Sequence, residues 1–282
     1  MTSEKKNYYN AHPYTVATSQ NGKKYVDFHT VKRDELNLSL ENSKVGQVLG
    51  FNLPIHYSCD HRCECYRDGK CYACAGCYNF MSNQALYSEN LAFYFYHTEA
   101  EFIDAICDEI ARYPKYKLFR WFECGDILSY TFFKSMIEIA RRNPSVTFWT
   151  YTKKYDIVNR YADDNGVDAI PQNLTVIFSH WMNKDGSYFP MENPHNFPTS
   201  EFIPMGREEL TETVTHICPC SDPSVVAQCA NCDHPCFKLA HGQSMALLEH
   251  STPETRKRDK AVKAAHMALE NARKARKGGR TA

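Results

Sequence analysis

Thirteen cysteines are the residues of this 282-residue chain best suited to chemistry, and eleven of them fall in two short windows. The first window spans residues 59–77 and holds six cysteines, and the second spans residues 218–236 and holds five. Two-residue spacings between cysteines let one turn present two sulfurs to a single centre. Chance rarely packs buried free cysteines this tightly. Both windows are therefore interpreted as metal sites.

The six thiols of the first window exceed the four that one zinc ion or one cubane cluster takes from a protein. The window therefore holds two centres, or one centre with spare thiols. His56 and His61 flank it and are interpreted as exposed loop residues. The candidate ligands are Cys59, Cys63, Cys65, Cys71, Cys74 and Cys77.

The second window contains a Cys229-x2-Cys232 knuckle, which is typical of metal sites but does not separate zinc from an iron–sulfur cluster. Cys220 is interpreted as a spare thiol, and His216 and His234 as ordinary polar residues. The candidate ligands are Cys218, Cys229, Cys232 and Cys236.

The chain shows no sign of secretion or membrane insertion in its sequence. Its first residues lack the apolar stretch of a signal peptide, and the aromatic run at residues 91–96 is far too short to span a bilayer. We therefore expect no membrane partner and a cytoplasmic, reducing compartment, where clustered thiols hold metal more often than they form disulfides.

The formal charge is zero, with 33 basic and 33 acidic residues, but the balance is local. Residues 256–282 carry a net charge of +8, and the first 255 residues carry −8. A basic tail of this kind can bind the phosphates of a nucleic acid, so nucleic acid is its candidate partner. A solvated charged helix is the simpler interpretation, because the acidic body offers no wider basic face.

Apolar periodicity predicts strands and helices that alternate along the middle of the chain. Such alternation is typical of parallel βαβ units. Right-handed crossovers would roll these units into a partial (β/α) barrel of parallel strands, with functional residues at the carboxyl ends of the strands and with the cysteine-rich loops binding metal. The predicted strands are residues 45–55, 116–123, 146–150, 174–179 and 201–205, and the predicted helices are residues 83–96, 99–113, 131–142 and 155–163.

Three regions follow from these patterns. Residues 1–45 are predicted to be a leader that packs on the body. Residues 46–240 form the α/β body with both cysteine windows, and residues 253–282 form a basic C-terminal helix.

Polar residues follow the second predicted strand, at the rim where such folds bind ligands. Glu123 and Asp126 could hold an ammonium group, and Gly125 between them would let a ligand approach the backbone. The alternative is that Asp126 caps the helix that begins near Tyr130.

Three further residues are candidates for contacts with a ligand, and two of them, Lys153 and Ser179, are expected at the same rim of the barrel. Arg120 lies in an apolar strand, so it needs a paired acid or binds a carboxylate or phosphate. Lys153 and Ser179 follow the next two strands, and their simpler interpretations are a solvated lysine and a small loop serine.

Several motifs together resemble the phage gene-product-88-like family over residues 50–240. That family's fold is thought to resemble the radical S-adenosylmethionine barrel, with a cysteine loop after the first strand. The resemblance also implies the cytoplasm of a bacterial host. The motifs are Leu53-Pro54, Cys71-Tyr72-Ala73, Asn83-Gln84, Phe119-Arg120, Gly125-Asp126, Tyr151-Thr152-Lys153, Cys218-Pro219 and Cys229-x2-Cys232-x3-Cys236-Phe237.

The resemblance implies an enzyme in which three thiols, Cys59 and Cys65 with Cys71 or Cys63, hold a [4Fe–4S] cluster with one iron open to S-adenosylmethionine. Asp126 or Glu123 would receive the ammonium group of that cosubstrate. The second window would hold an auxiliary cluster or zinc. The substrate and the catalytic residues are not identified. The expected cofactor contacts are Arg120, Glu123, Gly125, Asp126, Lys153 and Ser179.

One spacing departs from the radical enzymes, whose three cysteines are spaced x3 and then x2. Cys59-x3-Cys63 agrees, but Cys65 comes too early. The alternative function is a non-enzymatic phage protein in which zinc staples both windows and the basic tail binds nucleic acid.

Overall fold

The computed structural model describes residues 14–19, 22, 24–41, 45–67, 71–74, 76–204, 214–221 and 227–249. The basic helix predicted for residues 253–282 and the first thirteen residues of the predicted leader lie outside these ranges.

Ten strands and six α-helices make up the described part of the chain. The strands are β1 (Val16–Thr18), β2 (Lys24–Val26), β3 (Leu38–Ser39), β4 (Leu49–Phe51), β5 (Leu118–Trp121), β6 (Thr147–Thr152), β7 (Leu174–Trp181), β8 (Thr199–Ile203), β9 (Val214–Ile217) and β10 (Ser244–Leu248). The helices are α1 (Ile55–Ser58), α2 (Glu64–Arg67), α3 (Met81–Tyr96), α4 (Glu99–Arg112), α5 (Tyr130–Arg142) and α6 (Tyr155–Asn165).

Eight of the strands form one sheet in the order β3-β4-β5-β6-β7-β8-β10-β9. Every neighbouring pair in it is parallel except β3 with β4. Strands β4 to β8 follow one another in chain order, as repeated right-handed βα units require. The predicted α/β class is therefore confirmed. The described strands form an open sheet and show no closed barrel.

One face of the sheet packs against the helices. Trp121 of β5 lies with its ring centroid 6.1 Å from that of Phe132 in α5, and Phe51 of β4 lies 5.7 Å from Phe102 in α4. These side chains are fully buried. Burying aromatic rings of this size supplies much of the free energy that holds helices to a sheet.

The opposite face, called the inner face below, is covered by the second cysteine window. Trp149 of β6 packs against Phe237 at a centroid distance of 5.0 Å. Thr175 of β7 donates a hydrogen bond from its hydroxyl to the Phe237 carbonyl at 2.8 Å. The window and the residues just after it therefore cover this face, where Cys218, Leu239 and Met245 join Trp149 and Ile177 in one buried cluster.

Capping residues in the local sequence determine where helices α4 and α5 begin. Thr98 and Glu101 form a capping box at the start of α4. Ser129 caps α5 by accepting a hydrogen bond from the Phe132 amide at 3.1 Å. The suggestion that Asp126 caps this helix is therefore wrong, because Ser129 fills the cap position.

Three strands of the large sheet, β4, β9 and β10, differ from the predictions. The first predicted strand is only three residues long, because just Leu49–Phe51 pairs with β3 and β5. Strands β9 and β10 were not predicted. β10 pairs with β8 on one side and with β9 on the other. Its position in the sheet therefore depends on distant residues, such as Thr199 opposite Ser244, as well as on the local sequence pattern.

The described part of the leader lies against α3. Ser88 donates to the Val26 carbonyl at 3.1 Å, and the Asn37 amide donates to the Asn90 side-chain oxygen at 2.7 Å. Ser88 and Asn90 are both buried, so these contacts seal that side of the helix. None of the described helices combines the length and the apolar character needed to cross a membrane.

Candidate functional site

The predicted site residues meet at the carboxyl edge of the parallel strands. The first window follows β4, and Asp126 follows β5. Lys153 follows β6, and Ser179 lies near the end of β7. Because parallel strands end at the same edge of a sheet, these residues come together as the sequence predicted.

Four thiols of the first window lie in contact. Cys65 is hydrogen-bonded to Cys63 and to Cys71, and Cys71 is hydrogen-bonded in turn to Cys74. Cys63 is fully buried, and Cys65 is 8% exposed. The contacts therefore join cysteines from both halves of the window into one group.

These contacts favour a thiolate at Cys65. Hydrogen bonds from Cys63 and Cys71 hold the pKa of Cys65 well below its ordinary value, and the Lys153 charge adds to the effect. The pKa of Cys63 is raised, because its proton is held between the two sulfurs and because it is buried. A thiolate is the form that binds metal.

The remaining cysteines of the window differ in position. Cys59 is half-buried, and burial followed by the Asp126 charge raises the pKa of its thiol. Cys77 is exposed. Cys124, which lies outside the window and was not predicted as a site residue, is 4% exposed and interacts with Cys59 and Cys74. A lone cysteine carries no spacing signal, so only the fold reveals its position.

Lys153 faces the thiols of the first window. Its Nζ atom donates to Ser179 Oγ at 3.0 Å and lies 5.3 Å from the ring centroid of Trp181. Burial alone would lower the pKa of Lys153, but the negative charge of the Cys65–Cys63 pair outweighs burial and raises that pKa. The lysine is therefore cationic beside the group of thiols, and it is half-buried rather than fully solvated.

Asp126 connects the loop after β5 to the end of β6 through hydrogen bonds. Its Oδ1 atom accepts from the Thr152 hydroxyl at 2.6 Å, and its Oδ2 atom accepts from the Lys153 amide at 2.9 Å. The carboxylate is 5% exposed, and burial raises its pKa although these hydrogen bonds oppose the effect. Both carboxylate oxygens already accept hydrogen bonds from the protein. These contacts therefore do not support Asp126 as the residue that binds the ammonium group of a ligand.

Gly125 is required by a close approach of the backbone. Its φ is +102°, and a Cβ atom there would lie 2.7 Å from the Leu53 carbonyl oxygen and 3.0 Å from Ser58 Oγ. Leu53 and Ser58 fill the space on the Cβ side of this glycine, so the packing of the chain accounts for the glycine without a ligand.

The charges of Glu123 and Arg120 interact, although strict alternation along the strand predicts that the two side chains point to opposite sides. Phe122 between Trp121 and Glu123 has a φ of +58°, which breaks the alternation. The Glu123 carbonyl accepts from the Tyr72 hydroxyl at 2.6 Å, and Tyr72 also contacts Arg120. The Glu123 side chain is 5% exposed, and its Oε2 atom lies 3.5 Å from the Tyr78 hydroxyl.

Arg120 lies between the two windows on the inner face. Its Nη2 atom is 3.5 Å from the hydroxyl of Tyr72 in the first window, and its guanidinium carbon is 5.4 Å from the ring centroid of Tyr151. On the other side it reaches the second window, where the pKa of Cys229 is lowered by a hydrogen bond with Cys220 and by the Arg120 charge.

The second window also contains four thiols in contact. Cys218 is hydrogen-bonded to Cys220 and Cys236, and Cys220 is hydrogen-bonded to Cys229. The hydrogen bonds from Cys220 and Cys236 lower the pKa of Cys218. Cys220, interpreted from the sequence as a spare, is therefore inside the group, and Cys232 lies at its edge.

The flanking histidines occupy different surroundings. His61 is exposed, as expected, and stacks on Tyr66 at a centroid distance of 4.1 Å. His56 is half-buried and lies 2.7 Å from the Tyr66 hydroxyl, so it is not a free loop residue. The rings of His216 and His234 are 5.4 Å apart beside the second window.

A cavity of about 880 Å³ opens at the other end of the sheet. It is lined by Gly46 and Gln47 before β4 and by Lys115 and Lys117 before β5. These residues precede the strands, whereas the thiols of the first window follow β4, so the cavity lies apart from the first window. The second window does border the cavity, because Gln228, Ala230, Asn231 and Phe237 also line it.

The donor atoms of both windows suit a soft or borderline metal, because four sulfurs in contact are the ligand set of zinc and of iron–sulfur clusters. Among the described residues, no group of three or more Cys, His, Asp and Glu side chains is arranged so that it could hold a metal ion as it stands. Binding would thus require the thiol side chains to turn from one another toward a common centre.

Comparison with known proteins gives one match. The sequence model of a family described as Gene product 88 matches residues 18–244. No curated protein and no solved structure matches the chain. The match begins at residue 18 rather than near residue 50, so much of the predicted leader lies inside the family's region. Because the matched region covers well over half of the sequence, this chain belongs to the Gene product 88 family.

Proposed function

We propose that the protein is an iron–sulfur enzyme of the radical S-adenosylmethionine type, with its sheet forming a partial (β/α) barrel. The observation that carries the proposal is the contact of Cys65 with both Cys63 and Cys71, at the carboxyl edge of parallel strands and beside the Lys153 ammonium. Metal-bearing loops of α/β enzymes are placed at this edge.

The first window would hold the cluster. Cys65 is the central ligand, because it touches both Cys63 and Cys71, and Cys59 and Cys74 lie close enough to substitute for one of them. When bound, a [4Fe–4S] cluster would supply an electron that cleaves S-adenosylmethionine to a carbon radical, which takes a hydrogen atom from the substrate.

The polar residues at the carboxyl edge of the strands would bind and orient the cosubstrate. Lys153 and Ser179 form one polar pair, which suits a carboxylate. Glu123 is the better candidate for the ammonium group, because both oxygens of Asp126 accept hydrogen bonds from β6 and the residue that follows it. Asp126 instead positions Lys153 by holding its backbone amide.

The second window would shield the reaction. It covers Trp149 and Ile177 on the inner face of the sheet, so it keeps water from that face. Its thiols would hold either an auxiliary iron–sulfur cluster or zinc.

The second candidate is a zinc-stapled protein that binds nucleic acid. The observation in its favour is the net charge of +8 on residues 256–282. All-thiol groups suit zinc as well as iron.

An assay of cosubstrate cleavage separates the two candidates. Anaerobically purified protein is reduced with dithionite, mixed with S-adenosylmethionine, and assayed for methionine and deoxyadenosine. The enzyme predicts both products in equal amounts, a loss of at least about tenfold in Glu123→Gln, and no change in Glu138→Gln, whose carboxylate lies on the surface of α5. A colourless, zinc-containing protein that forms neither product and binds single-stranded DNA would support the second candidate.

A further inference from the structure

Cys124 is a buried thiol that lies beside the first window, although it belongs to the loop after β5. Its side chain is 4% exposed. Its amide donates to the side-chain oxygen of Asn52 at 2.9 Å, and its carbonyl accepts from the Leu53 amide at 2.9 Å. Because the first window follows β4 directly, these two bonds fix Cys124 at the place where the window begins.

A hydrogen bond brings the first cysteine of the window to this loop. The hydroxyl of Ser58, the residue before Cys59, accepts from the amide of Asp126 at 3.2 Å. Asp126 lies two residues after Cys124. The two thiols are therefore next to a direct contact between their segments.

Two tyrosines bring the end of the window to the same loop. Tyr72, two residues before Cys74, donates its hydroxyl hydrogen to the carbonyl of Glu123 at 2.6 Å. Tyr78, the residue after Cys77, has its hydroxyl 3.5 Å from a carboxylate oxygen of Glu123. Glu123 immediately precedes the buried thiol of the loop, so both ends of the window meet beside that thiol.

The electrostatic interactions of the thiols agree with these contacts. Burial raises the pKa of Cys124 most, and the charges of Cys74 and Cys77 raise it further. Burial and the Asp126 charge raise the pKa of Cys59, and the Cys124 charge adds to the effect. Cys124 therefore lies near three cysteines of the window.

The thiols at this edge divide into a set of three and a set of four. The set of three is the proposed ligand set of the cluster and consists of Cys63, Cys65 and Cys71. The set of four consists of Cys59, Cys74, Cys77 and Cys124, with Cys74 at the boundary because it is also hydrogen-bonded to Cys71. Four thiolates are the ligands of a closed structural zinc site, and Cys74-x2-Cys77 has the spacing of a zinc knuckle.

We propose that Cys59, Cys74, Cys77 and Cys124 bind a zinc ion in a structural site that is separate from the cluster of the proposed function. The ion would fasten the first window to the loop after β5. Among the described residues these side chains do not surround a common centre as they stand, so they turn toward the ion when it binds. The site needs neither iron nor cosubstrate and does not depend on the proposed function.

The test counts zinc and iron per chain in anaerobically purified full-length protein and follows its thermal unfolding. We expect Cys124→Ser and Cys77→Ser each to lose about one zinc ion relative to the unmutated protein, to keep its iron, and to melt at a lower temperature. Any zinc in the second window is common to all the proteins and cancels in this difference. The matched control is Cys107→Ser, which replaces a half-buried thiol that contacts Asn143 and should keep both metals.

A second readout identifies the ligands of the ion. When cobalt replaces zinc, four thiolates give it intense visible absorption, and each of the two variants should weaken that absorption while Cys107→Ser leaves it unchanged. Cys77 is exposed, so its replacement removes a ligand without opening the core. Cys77→Ser therefore decides the result if Cys124→Ser does not fold.

The proposal is wrong if the unmutated protein contains no zinc, or if Cys77→Ser and Cys124→Ser keep all of it. Loss of iron in place of zinc would also overturn it, because these thiols would then be ligands of the cluster. Loss of one zinc ion from a protein that never contains iron would support the zinc site while contradicting the proposed enzyme.

Discussion

Thr152 donates a hydrogen bond of 2.6 Å from its hydroxyl to the buried carboxylate of Asp126, and so joins the loop after β5 to the end of β6. The amide of the next residue, Lys153, donates to the other carboxylate oxygen at 2.9 Å. The lysine that faces the first window is thus held in place by an acid in the loop after the neighbouring strand.

Asp126→Asn should therefore destabilise the fold. The amide nitrogen would face either the Thr152 hydroxyl or the Lys153 amide, and a buried donor that loses its acceptor costs about 1–3 kcal/mol. Urea unfolding measures the free energy. The control is Asp168→Asn, an exposed carboxylate, which should change it by no more than about 0.5 kcal/mol. Equal free energies of unfolding for Asp126→Asn and the unmutated protein would show that the buried carboxylate does not stabilise the fold.

Gly125→Ala should cost more stability than Gly166→Ala. Both glycines have positive φ values, +102° and +82°, so alanine at either position carries a backbone cost of about 1–2 kcal/mol. Only at Gly125 would the new Cβ atom also meet backbone, at 2.7 Å from the Leu53 carbonyl oxygen, and such overpacking adds about 1–3 kcal/mol. Thermal and urea unfolding of the two variants compare the costs. Equal losses would mean that Leu53 can move aside.

Lys153→Gln should lower the reduction potential of the first-window cluster by tens of millivolts. A nearby cation stabilises the reduced, more negative state, and removing it therefore makes reduction harder. Lys134→Gln, at an exposed position of α5, is the matched control and should leave the potential unchanged. Redox titration followed by electron paramagnetic resonance measures both. An unchanged reduction potential in Lys153→Gln would show that the charge of this lysine does not act on the cluster.

Cys220→Ser should lose metal from the second window more readily than Cys232→Ser. Cys220 is in contact with Cys218 and Cys229, whereas Cys232 lies at the edge of the group. Because metal binding stabilises a fold that contains the site, the Cys220 variant should also be less stable, by more than about 2 kcal/mol. Metal analysis and thermal unfolding test both effects. The reverse order would restore the ligand set predicted from the sequence.

The sequence predicted the elements whose pattern is local. Helix α4 shows a clear apolar face, with Phe102 and Ile106 fully buried, and the strands β5 to β7 are apolar runs between helices. Because parallel strands end at the same edge of a sheet, residues that follow β6 and β7 must lie close together. For this reason Lys153 and Ser179 were predicted to lie near each other.

The features that were missed depend on backbone geometry or on distant pairing. The side of Glu123 follows from the positive φ of Phe122, and nothing about a phenylalanine predicts such a value. Strand β10 is placed by β8 and β9 together. Cys124 lies near the first window only because β5 ends beside β4.

The most direct test of the account is a count of iron, sulfide and zinc in anaerobically purified protein. The unmutated chain should be brown and contain about four iron and four sulfide for the first window, with additional iron or zinc for the second. Cys65→Ser should lose the iron and sulfide of the first window, because Cys65 contacts both Cys63 and Cys71. Cys107→Ser, whose sulfur contacts Asn143 on the helical side of the molecule, should keep the full content. A Cys65→Ser protein with undiminished iron and sulfide, or an unmutated protein without either, would contradict the central claim.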